Sequence, residues 1–181
     1  MNTSEPNLST FRLRNFRPSD TSDCCDVFLS NVPKFFRSEE LPEFQNYLEN
    51  FAEGDYWIVG TDSNDIVACG GIRIKPDGEG SLCFGMVRAD LHKRGIGSAL
   101  IAFRIIELLK CDDLKKIRLD TSQFNPGFFN RFGFKETQVQ QDYYGVGLHR
   151  HDMELDLANC DRGAVRTSLE KVLNKSAVRV S

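Results

Sequence analysis

Two glycines separated by one isoleucine, in the run His92-Lys93-Arg94-Gly95-Ile96-Gly97-Ser98, are of a type and spacing that could do chemistry. A turn of this kind, leading into a helix, delivers several backbone N–H groups to one point. The first N–H groups of a helix have no internal acceptor, and the aligned peptide dipoles place about half a positive charge there. Glycines let the backbone approach a bulky anion, and Lys93 and Arg94 add charge at the rim. The chemistry implied is phosphate binding; the alternative is that Gly95 and Gly97 only permit close packing of helix on sheet. Two nucleotide signatures lack a required residue. A Walker loop ends in Gly-Lys-Ser/Thr, whereas Gly97 is followed by Ser98 and Ala99, and a dinucleotide fingerprint needs a third glycine where Leu100 stands.

The elements that must position this turn are legible on either side. "SLCFGMV" before it is a short, nearly continuous apolar run, as expected of a strand covered on both faces. After it, Ile96, Ala99, Leu100, Phe103 and Ile106 form an apolar stripe and Arg104, Glu107 and Lys110 a polar one, which predicts a surface helix packed on a sheet. Upstream, "FRLRNF" alternates as a half-buried strand. Ser19 or Asp20 is positioned to cap a helix through "TSDCCDVFLSNV", and Ser38 to cap one through "RSEELPEFQNYLENF". "YWIVGTD" and "DIVACGGIRIK" read as consecutive antiparallel strands. "KKIRLDT" is a further strand, "PGFFNRF" a short helix opened by Pro126, and "GFKETQVQ" and "HDMELDL" the last two strands. The order predicts one mixed sheet, parallel where a helix crosses over, with helices on both faces.

Composition bounds the partners. The 181 residues suit one domain, and 23 Lys+Arg against 26 Asp+Glu give a net charge of −3, with no general pull toward nucleic acid or an anionic membrane. No apolar run approaches the roughly 20 residues of a membrane span. The six cysteines form no C-x-x-C pair and only three histidines are present, so no metal site is expected. The N-terminus does not read as a signal peptide, and a cytoplasmic protein with reduced, mostly buried thiols is expected. Adjacent Cys24 and Cys25 are expected one in and one out on their helix.

"GMVRADLHKRGIGSALIAF" resembles the acyl-CoA motif of the GNAT superfamily of N-acetyltransferases, V-x-x-x-x-(R/Q)-x-x-G-x-(G/A), through Val87 and His92 to Gly97. Downstream, Asn125, Phe128-Phe129 and Gly133-Phe134 resemble that family's second signature, an Asn followed by F-Y-x-x-x-G-F. The resemblance implies an α/β fold: a single GNAT-like domain whose mixed, mostly antiparallel central sheet carries helices on both faces. It divides the chain into an N-terminal tail (1–10), an acetyltransferase domain (11–157) and a C-terminal helical tail of unknown role (158–181). It implies acetyl-CoA as cosubstrate. Its pyrophosphate would lie on the turn His92, Lys93, Arg94, Gly95, Ile96, Gly97 and Ser98, its pantetheine against the backbone of Met86 and Val87, and its other side against Asn125 and Phe129.

Two departures stand out. His92 replaces the usual Arg or Gln, and Phe129 replaces a tyrosine that protonates the leaving thiolate in many members. The base and acid must therefore come from elsewhere. Glu39, Glu40, Asp120, Tyr143 and Tyr144 are the candidates, with Glu40 and Tyr144 singled out as catalytic. Each has a plainer reading: first-turn dipole placement for the glutamates, a loop cap for Asp120, packing for the tyrosines. His149 and His151 could form an exposed pair or a proton relay. The segments "VPKFFRSEELPEF" and "DYYGVGLHRH" are expected to be loops that recognise the acceptor, whose aromatics and acids would suit a small cationic amine. The function implied is transfer of an acetyl group to a primary amine. The alternative is a non-catalytic acyl-CoA sensor. Acetyl-CoA and an amine-bearing acceptor are the expected partners, without nucleic acid or membrane; a homodimer is left open.

Overall fold

A computed structural model describes residues 10–181; the N-terminal tail expected over 1–10 therefore lies, but for Thr10, outside the described residues. In chain order the elements are β1 (Phe11–Asn15), α1 (Thr21–Leu29), α2 (Leu41–Asn50), β2 (Tyr56–Gly60), β3 (Ile66–Ile74), β4 (Glu79–Val87), α3 (Ile96–Leu108), β5 (Lys116–Ser122), α4 (Pro126–Asn130), β6 (Lys135–Gly145), β7 (Leu148–Asp156), α5 (Arg162–Lys175) and β8 (Val178–Val180). They build one eight-stranded sheet in the order β6-β7-β5-β4-β3-β2-β1-β8. Among the described residues only β4 with β5, joined through α3, and β1 with β8, the first and last strands, run parallel.

The sheet separates two cores. On one face α3 and α5 cover a large cluster that includes Leu13, Trp57, Val67, Ile117, Leu119 and Met153. On the other, α1 and α2 cover a smaller one around Phe28, Phe44, Tyr56, Ile58 and Met86. Residues 158–181 contribute to both the packing and the sheet. Leu169 of α5 is buried against the large core, and β8 pairs with β1 from Phe11 to Leu13. Arg162 donates to the carbonyls of Leu109, Cys111 and Asp112, which satisfies acceptors that the end of α3 leaves open. Among the described residues no helix is long and apolar enough to cross a membrane.

Several local expectations are corrected. Helix α3 is not a surface helix: with α5 on its outer side it is buried almost all round, including Arg104 of the expected polar stripe. Cys24 and Cys25 are both buried, because α1 is gripped by the sheet and by α2 at once. Neither Ser19 nor Ser38 caps a helix. Each helix is preceded by a 3-10 turn, and there the acid at the turn's third position, Asp20 or Glu40, accepts from the backbone N–H of Arg17 or Arg37. "DYYGVGLHRH" is a hairpin rather than a loop, since β6 runs on to Gly145 and the chain reverses at Val146-Gly147. β6 is an edge strand exposed for most of its length, so it lacks the alternation that marks a half-buried strand.

Asp20 ties β1 to α1. Its carboxylate accepts from Arg14 Nη1 and Nη2 at 2.7 and 3.0 Å and from the Arg17 N–H at 2.8 Å. Burial, the largest single effect, opposes its ionisation, but the hydrogen bonds from Arg14 and the Arg17 N–H, with the charges of both arginines, together outweigh it and hold the carboxyl below its ordinary value. A lowered folded-state pKa contributes stability above the ordinary carboxylate range and loses it as pH falls through the lowered value. Asp20→Asn should cost about 1.5–3 kcal/mol at pH 7 and less in acid, measured by urea unfolding across pH.

Candidate active site

β4 and β5 pair over only three residues, Glu79, Gly80 and Ser81 with Lys116, Ile117 and Arg118, and then part. The parting coincides with a bulge in β4. Gly71 faces Cys83 and Cys69 faces Met86, so Phe84 and Gly85 together oppose Gly70, and Phe84 takes a φ of 39°. An extra residue on one strand bends it and increases its twist. Past the bulge the Arg88 N–H donates to the Val67 carbonyl at 2.8 Å. Ladder alternation then turns the backbone of Met86 toward Cys69 and that of Val87 outward, into the gap. The Val87 carbonyl accepts there from buried Asn31 Nδ2 and from His92 Nε2, both at 2.9 Å. A carbonyl can only accept, so His92 carries its proton on Nε2.

On the α3 face the glycine turn follows. Gly95 occupies the N-cap position of α3 with a φ of 83° and no side-chain cap. The Ala99 N–H donates to the Gly95 carbonyl at 3.0 Å, closing the first helical turn, so the amides of Ile96, Gly97 and Ser98 have no acceptor within the helix. Lys93, at a φ of 64°, and Arg94 are exposed beside them. Close packing does not account for the glycines. A Cβ on Gly95 would meet nothing within 4 Å, and one on Gly97 would make only ordinary contacts, 3.4 Å to Val87 and 3.7 Å to Phe128. Gly95 serves the left-handed turn, and Gly97 leaves its amide bare. The chemistry of the turn fits a pyrophosphate: unpaired N–H groups, a helix N-terminus and two exposed cations.

α4 lies against this turn through Phe128. Asn125 holds the N-cap position of α4 and donates through Nδ2 to Thr121 Oγ1 at 3.2 Å. Phe129 stacks edge-on against Phe128 and Phe134, with ring centroids 5.1 and 6.1 Å away. It offers no proton.

The acids gather on the opposite face. Alternation along β5 sends Ile117 and Leu119 into the large core and Asp120 away from it. The Tyr144 phenol donates to Asp120 Oδ2, and Arg150 Nη2 lies 3.6 Å from Oδ1. Glu40 accepts from the Arg37 N–H at 2.6 Å. Burial pushes the Glu40 carboxyl above its ordinary value, and the charges of Glu43 and Asp120 add to the rise. Burial, followed by the Asp120 charge, likewise raises the Tyr144 phenol, which stays protonated at neutral pH. Arg37 Nη2 donates to the Val146 carbonyl at 2.6 Å and so joins the segment before α2 to the tip of the β6–β7 hairpin.

The structure thus brings the residues of the turn, Val87 and Asn125 to one side of the gap, and Glu40 and Tyr144 to Asp120 on the other. Asp120 does not cap its loop. His149 and His151 stay apart from this set: the first accepts from the Asp142 N–H, and the second lies 2.5 Å from Glu136. Asn31, Arg37 and Arg150 escape sequence reading, because each acts through a contact tens of residues away that no spacing encodes.

The chain matches the family model described as an acetyltransferase (GNAT) domain over residues 26–157. No curated relative matches it by sequence. Among solved structures, it is similar to a ribosomal-protein alanine N-acetyltransferase from Escherichia coli, at 18% identity with a TM-score of 0.66, over 83% of this chain and 96% of that one. It is also similar to Ard1 from Thermoplasma volcanium, at 15% identity and a TM-score of 0.68, over 81% and 97%. A chain of the NatC complex bound to Gag peptide and CoA aligns at 14% identity and a TM-score of 0.66, over 82% and 99%. At these identities the structures establish the fold, and the family match extends from within α1 to the residue after β7. With a parted sheet, a bare helix N-terminus beside it and that match in agreement, the chain belongs to the GNAT family of acetyltransferases.

Proposed function

We propose that this protein moves an acetyl group from acetyl-CoA to a primary amine by direct attack. The observation that carries the reading is the gap between β4 and β5, with bare amides of α3 on one side and, on the other, an acid–phenol set in which Glu40 and Tyr144 are half-buried. Ile96, Gly97 and Ser98 would hold the pyrophosphate through their N–H groups, Lys93 and Arg94 would neutralise it, and Val87 would offer its N–H in the gap. Met86, whose backbone turns toward β3, would contribute through packing. His92 would act by pinning the end of β4 rather than by touching the ligand, and Asn125 and Phe129 would border it from α4.

Acetyl-CoA supplies an activated acyl carbon and a thiolate leaving group. Attack requires an uncharged amine, and Glu40 takes its proton: a carboxylate raised by burial is a stronger base than an ordinary one. Tyr144 holds the proton that Phe129 lacks, on the same face as Glu40 and bonded to Asp120. Glu40, Glu43 and Asp120 favour a cationic acceptor, although Arg150 offsets part of their charge. A small amine with a free ammonium group is the acceptor class this set suits.

Three outcomes test the reading. Saturating acetyl-CoA should raise the melting temperature of the protein, and Gly97→Glu should abolish the rise; no shift in the unsubstituted protein would sink the proposal. Gly95→Ala, at a left-handed φ, should cost about 1 kcal/mol in urea unfolding, whereas Gly97→Ala should change stability by less than about 0.5 kcal/mol. A panel of amines read by release of free thiol should identify an acceptor, and binding without release on any amine would favour the sensor. With that acceptor, kcat/KM should rise with pH as Glu40 loses its proton. Glu40→Gln should remove that limb and slow turnover about 100-fold or more, with Tyr144→Phe slowing it comparably.

A further inference from the structure

Arg104 is a cation inside the sheet. It stems from α3, is 4% exposed, and has no carboxylate within ion-pair distance among the described residues. Its Nε donates to the Gly71 carbonyl at 2.9 Å and its Nη2 to the carbonyls of Gly71 and Cys83 at 2.5 and 2.8 Å. Gly71 and Cys83 face each other at the start of the β4 bulge. The guanidinium therefore bridges β3 and β4 where the ladder goes out of register.

The glycines of these strands make room for it. A Cβ on Gly85 would lie 2.2 Å from Arg104 Nη1, and one on Gly70 would lie 2.9 Å from it. The side chain passes from the α3 face toward Cys83, Tyr56, Tyr47 and Cys69, which belong to the α2 side. Tyr47 Oη beside it is buried without a hydrogen-bond partner among the described residues. An unpaired buried cation is costly, and an apolar side chain of similar length would fill the space without that penalty. What the guanidinium adds is geometry, fixing two facing carbonyls immediately before Phe84 and Gly85, together with a positive charge at the start of the bulge.

We propose that Arg104 is a positioning residue for acyl transfer: it clamps the β4 bulge so that the backbone N–H of Val87 beyond it faces the acyl carbonyl in the gap. This rests on the acetyl-CoA reading above. Oriented N–H donors are most effective when held in advance, because no reorganisation is then needed as charge develops on the oxygen. Loosening the bulge would leave the glycine turn and its hold on the pyrophosphate intact, since Asn31 and His92 anchor the end of β4 independently of Arg104.

The test uses the full chain with acetyl-CoA labelled with carbon-13 at the acetyl carbonyl. Infrared spectroscopy of the binary complex reads polarisation of that carbonyl without requiring turnover. In the unsubstituted protein the carbonyl band should move to lower frequency than in free acetyl-CoA. Arg104→Met should lose that displacement, bind acetyl-CoA within about threefold, and lower kcat about 100-fold with KM for the amine little changed. Arg104→Lys, which keeps the charge but loses the fork, should lie between. Gly70→Ala, whose methyl group crowds Nη1, should lower the displacement while retaining the arginine, and it serves if Arg104→Met does not fold. A band unmoved in the unsubstituted protein, or equally displaced in the folded variants, would overturn the proposal. Failure of the unsubstituted protein to bind acetyl-CoA would overturn both readings. Binding with a displaced band but no turnover would sink only acetyl transfer.

Discussion

The separation of β4 from β5 is the constraint on which the site depends. Two parallel strands joined by a helix ordinarily pair along their length, because unpaired backbone N–H and carbonyl groups inside a fold are costly. Here pairing stops after Ser81 and Arg118. The bulge at Phe84 and Gly85 turns β4 away, β7 keeps the other side of β5 paired as far as Ser122, and outward-facing groups of β4 are left in the gap. Under the proposed function, a bound acyl chain would answer the hydrogen-bonding need that the sheet creates.

The groups around the gap hold it open from several elements. Asn31 after α1 and His92 before α3 meet on the carbonyl of Val87, and Ser30 accepts the Ala89 N–H through its hydroxyl at 3.1 Å. The end of β4 is thus tied to both faces of the sheet at once. The glycine turn inherits its place from that anchorage. Gly95 and Gly97 are set by backbone conformation and by open space rather than by neighbours, as expected where an absent side chain serves a ligand.

The legible parts were those with local causes. Pro126 opens α4 because it lacks an N–H the helix would leave unpaired, and the period-two pattern of "FRLRNF" marks β1. The glycine turn with the Asn125–Phe134 signature points to acyl-CoA and to the family. Less legible were features set by what covers an element. Arg104 reads as part of a solvated stripe, because nothing near it in sequence announces α5 above the helix or three glycines in the sheet beneath it. One of Cys24 and Cys25 reads as outward, because nothing local announces that α1 lies between the sheet and α2. β6 reads short because an edge strand exposed for most of its length carries little apolar pattern.

Sequence alone determined the order of elements as far as β7, the single mixed sheet and the glycine turn, since these follow from backbone chemistry and periodicity acting over a few residues; the short β8 inside the expected helical tail escaped it. Tertiary structure decided the rest: that Glu40, Asp120 and Tyr144, from three separated segments, converge on one face of the gap, that Val87 turns its backbone outward, and that Arg104 reaches into the sheet. Those are contacts across tens of residues, and they depend on strand register and on the bulge. A one-residue slip in register would send each strand side chain to the opposite face, and no local pattern at Asp120 or Tyr144 records the register adopted.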